Sequence, residues 1–243
     1  MRLYEMSDEN IISLLSEIGL DEKESAEKNI ANLIKLQNDS TDPEDRKSLQ
    51  QSIDYNLDIL NDIDAKEIDE KIKKIADKVK NECGKFYNAC KKVNKVLFRG
   101  IRNERPPVFV STSIEGRRPK DSNEIATIKF DTFAEQLGIR ALRSNSIFAT
   151  TQKSQAKEYG YYLYNIFPKD TADFSWSMKY SDIVLVPYML DSCTSIQLFQ
   201  QKFMLDQLSL DKALLSGHEI LIHGRYIAII DDIYNEMVSK KLL

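Results

Sequence analysis

The stretch from residue 218 to residue 230 reads His-Glu-Ile-Leu-Ile-His-Gly-Arg-Tyr-Ile-Ala-Ile-Ile, two apolar runs around a His-Gly-Arg turn. Apolar runs of this length joined by a short glycine turn predict two strands of a β-hairpin. The period of two puts Glu219, Leu221 and His223 on one face of the first strand and His218, Ile220 and Ile222 on the other. Burying a carboxylate in an apolar strand is costly unless it is used or paired. Glu219 is therefore a candidate functional residue, with a solvated strand end as the alternative.

Further strands and short helices precede this stretch throughout the second half of the chain. Apolar and β-branched runs predict strands at 95–100, 108–113, 147–151, 162–168 and 183–188. Helical spacing predicts helices at 132–137, 154–160 and 195–215, the first of them ending at Gly138. Because strands and helices mix without regular β-α-β alternation, we predict an α+β domain built on a mixed sheet.

The first part of the chain has a different composition. Residues 1–95 carry 16 Lys and Arg against 21 Asp and Glu, whereas the remainder carries 18 against 17. Apolar residues at helical spacing predict helices at 10–18, 26–37 and 49–60, and a last helix with one apolar stripe from Ile68 to Cys90. We therefore predict an acidic helical bundle at residues 1–92 and the α+β domain at 93–243. The negative charge argues against nucleic-acid binding by the bundle, which either packs on its neighbour or binds a partner protein.

Composition and motifs exclude several classes of protein. Hydrophobic residues make up 42% and charged residues 30% of the chain, as is typical of soluble globular proteins. No apolar run is long enough for a transmembrane helix and no secretory signal is visible, so we expect a cytoplasmic protein without a membrane partner. The three cysteines, Cys83, Cys90 and Cys193, lack disulfide or zinc spacing, and core packing accounts for the first two. His218 and His223 stand on opposite faces of a strand, so we expect no metal site.

Three short motifs follow one another along the second part of the chain. Leu97-Phe98-Arg99-Gly100 ends a strand; Phe148-Ala149-Thr150-Thr151 enters a helix that carries Ala156 and Tyr159-Gly160; Glu219-Ile-Leu-Ile begins a late strand. Together they resemble the arginine–serine–glutamate arrangement of mono-ADP-ribosyltransferases, an NAD-consuming family of bacterial toxins and of tailed-phage enzymes. The resemblance covers roughly residues 95–230. A literal Ser111-Thr112-Ser113 lies too soon after Arg99 for the helix and loop that the family usually places between these motifs, so we interpret it as a decoy.

The resemblance implies a function and a set of site residues. It implies cleavage of the nicotinamide–ribose bond of NAD and transfer of ADP-ribose to a protein or nucleic-acid acceptor. The implied catalytic residues are Glu219, Arg99 and Thr150. The implied NAD-binding residues are Arg99, Gly100, Phe148, Ala149, Thr150, Thr151 and Tyr159. A carboxylate stabilises the oxocarbenium character that develops at the ribose, and a guanidinium binds phosphate or ribose oxygens. The threonine hydroxyls are expected to orient Glu219 and the ribose, and an aromatic ring to stack on nicotinamide.

Two departures from the family pattern bear on the acceptor and on activity. Ala149 replaces the first serine of Ser-Thr-Ser, and Gly217 stands where arginine-modifying members carry the first acid of Glu-x-Glu. We therefore expect an acceptor other than arginine. An NAD glycohydrolase and a non-catalytic interaction protein with a decayed site remain as alternatives. The family also suggests a phage or bacterial effector, acting in the host cytoplasm if it is phage-encoded.

Basic residues near the proposed site are a further candidate. The run Arg117-Arg118-Pro119-Lys120 is either a solvated turn or a contact for NAD phosphates or an anionic acceptor. Arg140 and Arg143 could extend the same positive face.

Overall fold

The computed structural model describes residues 43–103, 105–116, 123–182 and 187–243, together with positions 27, 30–35, 37 and 38. The chain divides into two compact units, residues 1–75 and residues 76–243, and each is described by itself.

The described part of the first unit is helical. Positions 30–35 are helical, and helix α1 begins at Pro43 and continues to Glu82 in the second unit. Gln37 Nε2 donates a hydrogen bond to Gln50 Oε1 at 2.9 Å. The helix predicted at 49–60 and the first part of the one predicted from Ile68 to Cys90 form this one helix of 40 residues. It ends at Glu82, before the predicted end at Cys90, and Ile68 is 51% exposed, so the predicted stripe does not begin there. The predicted helix at 10–18 lies outside the described residues, and the N-terminal bundle stays a prediction.

The second unit contains the strands and the remaining helices. Its strands are β1 (Phe98–Ile101), β2 (Val108–Thr112), β3 (Ile147–Ala149), β4 (Tyr162–Pro168), β5 (Asp173–Ser177), β6 (Leu205–Asp206), β7 (Ile220–His223) and β8 (Arg225–Ile230). Its further helices are α2 (Gly84–Val93), α3 (Glu124–Gln136), α4 (Lys153–Tyr159), α5 (Ile196–Phe203), α6 (Leu210–Ser216) and α7 (Asp231–Ser239). Helix α2, which the sequence analysis assigned to the acidic helical part, thus belongs to this unit.

The strands form two four-stranded sheets. Sheet A has the order β1-β4-β8-β2 and sheet B the order β3-β7-β5-β6. Within each sheet, all ladders between the described strands are antiparallel. The α+β class is therefore confirmed, whereas the predicted mixed sheet is wrong, because the order of elements along the chain does not determine the direction in which strands pair.

The His-Gly-Arg segment joins the two sheets. Strand β7 pairs with β3 and β5, whereas β8 pairs with β2 and β4, so the predicted hairpin is wrong. The chain passes from sheet B to sheet A at Gly224, which has a φ of 120°. A Cβ at this position would lie 3.2 Å from the Ala172 Cα. Glycine is needed here because it alone adopts this backbone angle without strain and permits the close approach.

Two apolar layers enclose sheet B. One lies between the sheets, where Ile220 and Ile222 pack with residues of β3, β4, β8, α2 and α6. The other lies on the far face of sheet B, where Leu221 packs with Phe130, Phe199 and their neighbours from α3 and α5. The alternation predicted for this strand is thereby confirmed, and Glu219 belongs to the Leu221 face.

Several predicted elements differ in extent. Strand 162–168 is confirmed, and α3 ends close to the predicted Gly138 but starts at Glu124, where the Asn123 side chain accepts from the amides of Ile125 and Ala126. The helix predicted at 195–215 is wrong, because Met204, with a φ of 46°, ends α5 and strand β6 follows. Residues 183–186 of a predicted strand lie outside the described residues, and 187–192 form a 3-10 helix instead.

The cysteines lie in the interior of the protein. All three are buried with free thiols. Burial raises the pKa of Cys83 and of Cys90 to about 12. Within the described ranges, no helix combines the length and apolar character needed to cross a bilayer.

Candidate functional site

Thr150 directly follows β3, and Glu219 directly precedes β7, the strand that pairs with β3. The ladder of β3 with β7 pairs Phe148 with Leu221 and Ala149 with Ile220. Continued by one residue, that register brings Thr150 opposite Glu219. Directly opposed residues of an antiparallel pair extend their side chains to the same face. Both are buried, with 4% of Thr150 and 2% of Glu219 exposed.

Arg99 reaches this position through a bridge between the sheets. The Phe98 amide donates to the Thr150 carbonyl at 2.7 Å, and the Thr150 amide returns a bond of 3.0 Å. Arg99 follows on β1, half-buried, and its Nη1 donates to the Phe148 carbonyl at 3.3 Å. Burial lowers the pKa of Arg99, while Tyr226 and Glu219 act in the opposite direction. The predicted arginine, threonine and glutamate therefore meet in one neighbourhood.

The threonine hydroxyls hold the segment that leads into Glu219. Thr150 Oγ1 is 3.0 Å from the Gly217 carbonyl and 2.9 Å from Gln155 Oε1. Thr151 Oγ1 donates to the Leu214 carbonyl at 3.0 Å. The two hydroxyls thus fix the backbone just before Glu219. That these hydroxyls orient Glu219 and contact a ribose stays a prediction.

The glycines of the first two motifs allow β1 to cross α4 in close contact. A Cβ on Gly100 would come 2.0 Å from the Ala156 carbonyl oxygen, and one on Gly160 would come 2.2 Å from the Ile101 carbonyl carbon. No side chain fits at such distances. The α-carbon of Gly100 therefore lies directly against the helix backbone. This close packing accounts for the glycines at positions 100 and 160.

The other predicted NAD-binding residues are distributed around this position. Ala149 is buried in the layer between the sheets, on the face opposite Thr150. Phe148 is half-buried against the far layer of sheet B, and half-buried Tyr159 ends α4. The stacking of Phe148 or Tyr159 on nicotinamide stays a prediction.

Arg143 is a charged residue whose buried environment is not predicted from the sequence. It was expected on an exposed positive face, but it is completely buried, whereas Arg140 is exposed. Asp131 accepts the Arg143 amide at 2.9 Å and the Ser144 amide at 3.0 Å. Burial lowers the pKa of Arg143, and Glu219 is the strongest of the groups that raise it. A sequence signal existed, because Asp131 falls on the apolar face of α3, and a buried acid implies nearby donors.

The histidines and the literal Ser-Thr-Ser have structural partners. His218 Nδ1 lies 2.8 Å from the Ser177 carbonyl, and His223 Nδ1 lies 3.0 Å from the Asn145 carbonyl. Ser113 Oγ accepts the Gly224 amide at 2.9 Å, at the corner between the sheets. Across the described ranges, no three His, Cys, Asp or Glu side chains are grouped so as to hold a metal ion. The basic run at 117–120 lies outside the described residues.

Neither protein-family models, nor curated proteins, nor solved structures gave a match to this chain.

Proposed function

We propose that the chain is a mono-ADP-ribosyltransferase that cleaves NAD at the nicotinamide–ribose bond and transfers ADP-ribose to a macromolecule. The observation that supports this most is the meeting of Arg99, Thr150 and Glu219 where β1 bridges to the end of β3. These residues come from three motifs far apart in the sequence. Packing alone does not require that a cation, a hydroxyl and an acid converge at one end of an apolar sheet.

The proposed chemistry assigns each group a separate role. The bond between the nicotinamide nitrogen and the ribose carbon breaks, and its electron pair leaves with nicotinamide. The ribose then carries oxocarbenium character, which the Glu219 carboxylate stabilises. The acceptor supplies a nucleophilic lone pair to the same carbon and loses a proton. Arg99 binds phosphate or ribose oxygens of NAD, and Thr150 and Thr151 hold the backbone that carries the glutamate.

The surroundings of Gly217 support an acceptor other than arginine. Gly217 has a φ of 71°, and a Cβ on it would come 2.6 Å from Gln152 Nε2. A glutamate at this position would be strained by its backbone angle and would displace Gln152. The first acid of the Glu-x-Glu pattern therefore cannot be accommodated at Gly217 without rearrangement, and we propose another side chain or a nucleic acid as acceptor.

Burial of Glu219 sets a requirement on the mechanism. With 2% of its surface exposed, Glu219 cannot touch NAD unless a neighbouring segment moves. Its amide donates to the Ser181 carbonyl at 2.9 Å, so the segment after β5 lies directly beside it. We propose that NAD binding displaces this segment. The same burial favours the second candidate, a non-catalytic interaction protein in which Glu219 is an interior residue.

Labelled NAD tests the proposal. Purified protein is incubated with NAD labelled in the ADP-ribose part and a bacterial lysate, and label is followed into protein, nucleic acid and free ADP-ribose. We expect labelled macromolecules, and a loss of about 10²-fold or more in Glu219→Gln, because the charge that stabilises the transition state is removed. Glu135→Gln is the matched control, since Glu135 is an exposed acid on α3.

The outcomes separate the candidate functions. Label in free ADP-ribose alone indicates an NAD glycohydrolase. Intact NAD after long incubation of the folded protein refutes both NAD-consuming functions and favours the interaction protein. Equal labelling by the wild type and by a folded Glu219→Gln protein removes Glu219 from the chemistry.

A further inference from the structure

The loop between α3 and β3 lies over the face of sheet B that carries Glu219. Ser175 Oγ donates to the Ala141 carbonyl at 2.6 Å, and Ser175 pairs with Leu221. Farther along the loop, the Asn145 carbonyl lies 3.0 Å from His223 Nδ1. By alternation, Leu221 and His223 share the face of Glu219. The carbonyls of Ala141, before Arg143, and of Asn145, after it, thus hold the loop against this face.

Arg143 is held inside this loop. Both oxygens of Asp131 are engaged by backbone amides, one of them the amide of Arg143, and the arginine has none of its surface exposed. A guanidinium removed from water is costly unless an anion compensates its charge. Glu219, almost equally buried, lies on the face that the loop covers and is the acid that most raises the pKa of Arg143.

We infer that Arg143 is a positioning residue for Glu219, a buried cation that keeps the carboxylate ionised and fixed in place beneath the loop. Without a cation nearby, a buried carboxylic acid tends to take up a proton and become neutral. A neutral Glu219 could not stabilise positive charge at a ribose. This meaning for catalysis rests on the proposed function, whereas the pairing of the two residues does not.

Other charged and titratable groups interact with Arg143 or with Arg99 and therefore contribute to the charge balance of the site. They come from β1, α3, α4, the segment after β5 and β8: Arg99, Asp131, Tyr159, Asp182 and Tyr226. Arg99 is a second cation near Glu219, but it is half-buried at the edge of β3. Replacement of Arg143 therefore isolates the contribution of the fully buried cation.

Carbon-13 NMR of the glutamate side chains tests the pairing without any need for NAD. The Glu219 carboxyl signal is identified by its loss in Glu219→Gln and is titrated in wild type, Arg143→Met, Arg143→Lys and Arg140→Met. We expect its midpoint to rise by about one to three pH units in Arg143→Met, as for loss of an adjacent opposite charge. Arg143→Lys keeps the charge, so its midpoint should stay close to that of the wild type. Arg140→Met, in the same loop but exposed, should leave the midpoint unchanged. An unchanged midpoint in Arg143→Met overturns the inference.

Thermal unfolding provides a second measurement if Arg143→Met folds poorly. Breaking a buried pair from one side leaves an isolated charge, whereas removing both charges does not. We expect Glu219→Gln/Arg143→Met to have a higher Tm than Arg143→Met alone, and a lower Tm in the double variant overturns the pairing. The proposed function can fail while the pairing holds. If the wild type leaves NAD intact and the Glu219 midpoint still rises in Arg143→Met, the transferase is refuted and the pairing is supported.

Discussion

The Thr150 hydroxyl offers a direct test of how Glu219 is positioned. Replacement by valine keeps the shape of the side chain and removes the group that is 3.0 Å from the Gly217 carbonyl. Because Gly217 is buried, water does not readily replace the lost donor, and an unsatisfied buried group costs about 1–3 kcal/mol. A hydroxyl has a single proton, so the bond to Gln155 does not add a second full contribution, but the Thr150 oxygen also accepts the Gln152 amide at 3.1 Å, and valine loses that bond too.

Denaturation measures this cost. We expect the free energy of unfolding of Thr150→Val to fall by about 1–3 kcal/mol, which lowers the Tm by roughly 2–12 °C at about 2–4 °C per kcal/mol for a protein of this size. Thr150→Ser retains the hydroxyl and should lose less. Thr132→Val is the surface control, since the Thr132 hydroxyl donates to a helix carbonyl at an exposed position and its removal should stay within about 0.5 kcal/mol. If Thr150→Val is as stable as the wild type, the hydroxyl does not hold the segment before Glu219.

Three further measurements test other parts of the structure. Gly100→Ala should lower the Tm sharply because its Cβ would meet backbone at 2.0 Å, whereas Gly84→Ala, whose Cβ has ordinary contacts, should not; equal Tm values contradict the close crossing. Burial raises the pKa of Asp206, but hydrogen bonds to its carboxylate outweigh this effect, so the folded-state pKa lies below its usual value. The ionised carboxylate therefore stabilises the folded protein above about pH 4, and this stabilisation is lost as the pH falls through the folded-state pKa. Urea unfolding of Asp206→Asn should therefore differ from wild type at neutral pH and converge with it in acid, and a constant difference refutes this. Cys83 and Cys90, with pKa values of about 12, should resist alkylation in the native protein at pH 8, and rapid mass-shift labelling there would contradict their burial.

Local features of the chain were predictable from the sequence. The alternation that puts Glu219 on the Leu221 face follows from the period of a strand, and the end of α3 near Gly138 follows from the left-handed angle that glycine adopts readily. Strand β4 ends at Pro168 as expected. Each of these depends on residues close in sequence, so pattern and propensity are sufficient.

Choices between distant partners were not predictable in the same way. A hairpin and a change of sheet at Gly224 use the same turn residues, and only the pairing of β7 and β8 with other strands distinguishes them. Arg143 follows an apolar Ala-Leu pair, yet arginine is usually exposed, and its burial depends on how Asp131 and the Glu219 face come together. At Met204 a non-glycine residue takes a positive φ, so no residue marks the break in the helix predicted there.

The corner at Gly224 and the bridge between Phe98 and Thr150 are two of the places where the sheets are joined. The first joint is covalent and the second is a pair of backbone hydrogen bonds, so separation of the sheets at Thr150 breaks both of these bonds. The segment that carries Ser181 is joined to Glu219 by a backbone hydrogen bond of 2.9 Å. Access to Glu219 by displacement of this segment, as proposed for NAD, therefore leaves both joints between the sheets and the loop bearing Arg143 in place.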